Sequence, residues 1–211
     1  AKDKKQHLLD VWFDRIEAVN KFCVKTTVNA QDEWLHSFYY FNDEIPTDAD
    51  FEKTVGDYLS FEFSMIMQGR RYLFENVDSE IEAEKADSVK KNFKLSDREW
   101  KEFRIGDLFE VKKVLGKPIE NYKNGRIPYI STSSQNNGLI NFIDCEEKIL
   151  SAKNAISIDP IKGTSFFHIY NFLGRGFSGA SINNLYNEKL DKNNGLFASK
   201  CIEKTSFFKA S

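Results

Sequence analysis

The chain of 211 residues is poor in the residues that most chemistry needs. It has three cysteines, Cys23, Cys145 and Cys201, far apart and odd in number. That excludes a disulfide framework and a paired-cysteine zinc motif, and it reads as reduced thiols in a cytoplasmic protein. Its histidines, His7, His36 and His168, form no His-x-x-x-His pair and have no cysteine beside them, so no metal site is expected. No apolar run approaches the roughly 20 residues of a membrane-spanning helix, so no membrane partner is expected. The first residues, Ala1 to His7, lead into an amphipathic helix pattern and not a signal peptide. There is no internal repeat, no low-complexity tract and no sustained heptad pattern.

Catalytic motifs are missing too. Gly174, Gly176 and Gly179 meet the Gly-x-Gly-x-x-Gly spacing, but no strand-loop-helix unit surrounds them and no acid follows about twenty residues on. Lys117, in Gly116-Lys117-Pro118, lacks the preceding glycine of a phosphate-binding loop. No Asn/Asp-Pro-Pro-aromatic motif is present. An active site within this chain is therefore not expected, nor is a cofactor.

What is present is an ordinary apolar fraction, 41%, with 29% charged residues, which suits a folded chain. Phenylalanine is abundant at 19 residues, so aromatic packing should dominate the core. The net charge of −2 hides an asymmetry. Residues 1–95 hold 13 Lys and Arg against 19 Asp and Glu; residues 96–211 hold 17 against 13. The second part leans toward an anionic partner.

The apolar spacing predicts helices over Lys4–Phe22 and Asp50–Arg71, the second capped by Thr47 or Asp48. Its apolar face is expected to carry Phe51, Val55, Tyr58, Leu59, Phe63 and Ile66. Residues 79–92 are highly charged and read as a solvated helix or linker, placing a boundary there. Ser96, with Glu99 three residues later, is expected to cap the next unit. Beyond Trp100 the segments are short, β-branched or aromatic, and punctuated by Gly and Asn. Strands are expected at 103–105, 108–113, 127–131, 138–143, 155–158, 165–170 and 177–178. Turns are expected at Asn124-Gly125, Asn137-Gly138, Lys162-Gly163 and Gly174–Gly176, and helices at 185–191 and 195–202. His168, within Ser165–Phe172, reads as a strand residue.

One stretch stands out: Ile127-Pro128-Tyr129-Ile130-Ser131-Thr132-Ser133-Ser134-Gln135-Asn136-Asn137-Gly138. A strand runs into hydroxyls and amides without fixed charge. Asn and Gln present a donor and an acceptor together, which matches the adenine edge in the major groove, and Ser and Thr adapt to either role. Candidate DNA-binding residues are Ser131, Ser133, Ser134, Gln135, Asn136 and Asn137. Lys112, Lys113, Lys117, Lys123, Arg126, Lys162 and Arg175 would supply phosphate or guanine contacts. A hairpin loop that is polar because it is wet accounts for the same composition.

Four blocks in order, Glu99–Lys113, Gly125–Asp144, Asn154–Phe172 and Asn193–Lys204, resemble the target-recognition domain of type I restriction-modification specificity subunits and of related type IIB and IIG recognition chains. The resemblance covers about Leu95 to Ser211. It implies an α+β protein, an N-terminal helical region followed by a mixed α/β target-recognition domain with many loops. Residues 1–94 would be a helical leader that docks on a partner, and 95–211 the domain that reads DNA, shortened at its end. The implied partners are double-stranded DNA, a DNA methyltransferase subunit and a restriction subunit, with catalysis left to partners or to other chain segments. The alternative is a remnant of this fold that docks on a methyltransferase without reading DNA.

Overall fold

The computed structural model describes residues 2–13, 15, 27, 45–75, 94–101, 103–177 and 181–205. Contacts divide the chain into two compact units, 1–43 and 44–211. In the first, helix α1 spans Lys2–Trp12 and is shorter than the Lys4–Phe22 expected; residues 16–22 lie outside the described set. A Gln6–Asp10 side-chain bond links successive turns of α1, and Leu8, Leu9 and Trp12 are exposed.

The second unit opens with helix α2, Asp48–Met67. Its start follows from Thr47. The Thr47 hydroxyl accepts from the Asp50 backbone N–H while the Asp50 carboxylate accepts from the Thr47 N–H, a reciprocal capping box. These bonds hold the Asp50 carboxyl down to about 2. Its end follows from Gly69, which takes a left-handed φ of 75° that costs glycine nothing. Gly69 N–H then reaches Ile66 O, and Arg70 N–H reaches Met65 O, the Schellman pattern. The buried face is Tyr58, Phe61 and Met65, at spacings of three and four. Val55, Leu59 and Phe63 were expected on that face; they are exposed instead, in line with Met67.

Among the described residues seven strands follow the single helical turn α3, Ile105–Leu108, where a strand over 103–105 was expected. They are β1 (Glu110–Lys113), β2 (Lys123–Ile130), β3 (Leu139–Asp144), β4 (Ala155–Ile158), β5 (Ser165–His168), β6 (Leu173–Gly174) and β7 (Asn183–Tyr186). Strands β1-β7-β4-β5 form an antiparallel sheet. Strands β3-β2-β6 form a second sheet, with β2 antiparallel to β3 and parallel to β6. Helix α4, Lys192–Thr205, includes the expected helix over 195–202.

Several local expectations give way to tertiary pairing. The helix expected over 185–191 is strand β7 at its start, because residues 183–186 pair with β1 on one side and β4 on the other. Central placement satisfies both edges of that backbone, which no isolated helical turn could match. Asn124-Gly125 is not a reversal; it lies within β2 beside a register shift against β3. Ser96 sits in a 3-10 turn, Leu95–Asp97, with no side-chain cap. Phe177 is outside any strand, and Ser178 and the charged stretch 79–92 lie outside the described residues.

The main core joins α2, α4 and the first sheet. Tyr58, Phe61 and Met65 pack with Phe167, Tyr170, Phe172, Leu196 and Ile202. Each large side chain buried there is worth about 1.5–3 kcal/mol. Gly195 allows the close approach of α4 to β5, since a Cβ there would sit 2.3 Å from Phe167 Cδ2. Partly covered ion pairs, Lys192–Glu62 at 2.8 Å and Lys204–Asp50 at 3.1 Å, tie α4 to α2, and Phe51 stacks on Phe197 at 4.7 Å. Helix α2, assigned from sequence to the leader, thus shares its core with elements of 95–211. A smaller core of Tyr129, Ile143 and Leu173 closes the second sheet.

Candidate nucleic-acid interface

Strand β2 ends in the core: Ile130 is fully buried. The chain then leaves as a loop closed at its base by Ser131 N–H donating to Gly138 O at 2.9 Å. A small turn forms at its tip, where Gln135 N–H donates to the Ser133 hydroxyl at 3.2 Å. The loop returns through consecutive left-handed residues, Asn136 (φ 52°), Asn137 (φ 53°) and Gly138 (φ 74°). Asn and Gly are the residue types that accept this region. The sequence therefore carries the reversal in Asn-Asn-Gly.

The loop is anchored from inside. The Asn137 side chain is buried, and its Nδ2 donates to Phe167 O at 3.0 Å. It also faces His168 Nδ1 at 3.3 Å and Tyr170 Oη at 3.5 Å. His168 is wholly buried, and its Nε2 lies 2.7 Å from the Ser157 hydroxyl. Because the Asn137 amide is a donor, His168 Nδ1 must accept; its Nε2–H then donates to Ser157. Burial pushes the His168 imidazolium pKa down to about 3, so the ring is neutral.

These contacts correct two expectations. Asn137 and Ser131 are buried and unavailable to a base edge; Asn137 instead locks the loop to β5. The exposed residues of the tip are Ser134, Gln135 and Asn136, with Ser133 half-buried. They border a cleft of about 520 Å³ whose other walls come from α2, β5 and α4.

The remaining candidates fall in three places. Arg175 lies beside the loop: its N–H donates to Ile130 O at 2.9 Å, and it pairs with Gly116, next to Lys117. Tyr129 Oη donates to Lys117 O at 2.7 Å, fixing that segment. The Arg175 Nε is buried without a hydrogen-bond partner among the described residues, and its guanidinium stands 5.6 Å from the Phe177 ring. Lys113 pairs in register with Asn183, one residue past Ile182, whose N–H donates to Arg175 O. Lys112 pairs with Glu110 at 3.0 Å and lies over the Tyr186 ring. Arg126 is elsewhere, five residues back along β2, and Lys162 occupies the β4–β5 turn, with its N–H on Asp159 Oδ1.

Two cations that sequence reasoning passed over, Arg70 and Arg71, immediately precede Tyr72, which contacts Arg126. The Arg126 guanidinium lies 4.4 Å from the Tyr72 ring, and that of Arg70 lies 4.0 Å from the Phe142 ring. The signal was the basic pair before Tyr72, read only as a helix end.

Among the described residues no group of three His, Cys, Asp or Glu could hold a metal. Burial raises the Cys201 thiol to about 11 and also raises Cys145. Neither has the depressed pKa of a nucleophilic thiol. No helix among the described residues is long and apolar enough to cross a membrane.

Comparison with known proteins bears on this arrangement. Residues 97–211 match the family described as type I restriction modification DNA specificity domain. A stretch of 77 residues is 51% identical to the type II restriction enzyme and methyltransferase RM.BcgI of Heyndrickxia coagulans. It covers 36% of this chain and 12% of that relative, so the chain spans only a small part of the relative's length. Among solved structures, the S subunit of a type I restriction-modification system from M. genitalium aligns over 75% of this chain and 38% of its own, at 16% identity and a TM-score of 0.37. The matched residues hold the polar loop, both sheets and α4, and by that match the chain belongs to the type I restriction-modification DNA specificity domains.

Proposed function

We propose that this chain reads a DNA sequence for a restriction-modification complex, and that Ser134, Gln135 and Asn136 take part in base readout. One observation carries the reading: uncharged amides and hydroxyls project from a strand end whose turn is locked from within by Asn137. Rigid placement makes bidentate amide contacts selective, at about 1–3 kcal/mol per correct base. Arg175, Lys113 and Lys117 lie on the neighbouring segments and supply phosphate contacts. Double-stranded DNA is the substrate, and methyl transfer and cleavage belong to partner subunits or to other segments of the same polypeptide. The working compartment is the cytoplasm.

A methyltransferase partner docks on α2. Its exposed Val55, Leu59, Phe63 and Met67 repeat every four residues and so line one stripe. The same stripe favours the second reading, a docking module that ignores DNA. Affinity selection from random duplexes, with and without the methyltransferase, separates the two. Enrichment of a defined sequence supports DNA reading, and its absence in both arms sinks it. Gln135→Ala should then relax preference at one base position and leave the salt dependence of binding intact. If Gln135→Ala and Asn136→Ala both keep the full preference profile, the loop is only a wet hairpin.

A further inference from the structure

A second basic surface lies at the far end of β2 from the loop. Arg70 and Arg71 follow the end of α2, and Lys123 and Arg126 stand on β2. The two segments are pinned together by Tyr72 Oη donating to Arg126 O at 2.7 Å. None of the four cations forms an ion pair among the described residues, although seven other pairs do. Asp144 stands opposite Lys123 in the ladder without pairing to it. Arg71, Lys123 and Arg126 are exposed.

The two stacks add geometry to the charge. Arg126 lies over Tyr72 and Arg70 over Phe142. A stacked guanidinium spends its face on the ring and keeps its N–H edge in the plane, where carboxylates and phosphates bind bidentately. The Arg70 edge is used once, by Nη1 donating to Gln68 Oε1 at 2.6 Å. No side-chain hydrogen bond uses the Arg126 edge among the described residues. Stacking also holds a long side chain in place before any ligand arrives, which lowers the entropy lost on binding.

We infer that, if the chain reads DNA as proposed, Arg70, Arg71, Lys123 and Arg126 grip the phosphate backbone of the same duplex and set its register on the loop. An acidic protein surface is the competing ligand. DNA is favoured by span. Arg126 and Ser131, the buried base of the reading loop, are five residues apart on and just past one strand, about 16 Å at about 3.3 Å per residue. That equals about five base-pair steps of about 3.4 Å each. One strand therefore links a backbone grip to the base of the reading loop at a spacing a duplex can meet. The leader segment of the sequence would then contribute to DNA binding, not only to docking.

The test is binding of the full chain to its selected duplex and to a mixed-sequence duplex over a range of salt. The proteins are the wild type, Arg71→Gln, Arg126→Gln and the double variant. Arg71 is exposed and makes no side-chain hydrogen bond or ion pair among the described residues, so its variant should fold whatever Arg126→Gln does. Each lost phosphate contact should lower the slope of log K against log salt by about 0.9. The base-preference profile should stay as in the wild type, since phosphate contacts carry no sequence information. Wild-type slopes in both single variants and in the double variant overturn the inference and assign the patch to an acidic protein surface, while DNA reading by the loop survives. A wild-type chain with no salt-dependent binding to either duplex overturns DNA reading and the grip together.

Discussion

At the scale of single residues, Asn137 and His168 decide the shape of the loop. Asn137 satisfies two conditions at once: a left-handed backbone at φ 53° and a buried amide that donates to Phe167 O. Asn137→Gly keeps the backbone and loses the amide, which should cost about 1–3 kcal/mol for the unpaired carbonyl left behind. Asn137→Ala loses both and should cost about 1–2 kcal/mol more, because a Cβ disfavours that region. Urea unfolding of the two variants checks the order; equal midpoints would remove the backbone half of the account. His168 titrates near 6.5 when unfolded and near 3 when folded. Below about pH 6.5 the unfolded chain takes up a proton that the folded chain refuses. Stability contributed by His168 is therefore complete above that pH and declines as pH falls toward 3. The expected limb is up to about 1.4 kcal/mol per pH unit for one proton. Denaturant midpoints between pH 4 and pH 7 should show it in the wild type, and His168→Gln should flatten it.

At the scale of elements, α2 has both ends specified by short-range chemistry, the Thr47–Asp50 box and the Gly69 reversal. Thr47→Ala removes one half of the box and should lower stability by about 1 kcal/mol. A thermal midpoint unchanged by Thr47→Ala would mean that the packing of Tyr58, Phe61 and Met65 holds the first turn without its cap. The expected apolar face of α2 mixed two stripes. Tyr58, Phe61 and Met65 meet the core, whereas Val55, Leu59, Phe63 and Met67 face away from it. Both are apolar at helical spacing, so periodicity could not tell core from surface. Strand β7 failed differently. Residues 183–186 alternate weakly, and only pairing with β1 and β4 makes them a central strand.

At the scale of the whole molecule, the second unit joins a loop built for hydrogen bonding to a helix with an outward apolar stripe. If that stripe meets a methyltransferase, Leu59→Asp with Phe63→Asp should weaken assembly at least tenfold while leaving DNA binding by the chain alone unchanged. Co-elution with the methyltransferase and duplex binding measured on the same preparation check this; assembly at wild-type strength would remove α2 from the interface. The outward direction of both side chains keeps the substitution away from the core.

The sequence alone determined what is local. A cap for α2 at Thr47 or Asp48, the Asn137-Gly138 reversal, β4 at Ala155–Ile158 and a polar loop over Ser131–Asn137 all follow from side-chain chemistry acting within a few residues. So did the family, carried by four blocks in order. Tertiary structure alone decided which polar residues face inward. Ser131 and Asn137 look like Ser134 and Asn136 in sequence, yet a buried carbonyl on β5, thirty residues away, claims the Asn137 amide. It also decided that Tyr72, which follows the Arg70-Arg71 pair, stands against Arg126, because its hydroxyl closes a contact across 54 residues. Such contacts depend on closing long loops around a shared core, and no short window of sequence contains that free energy.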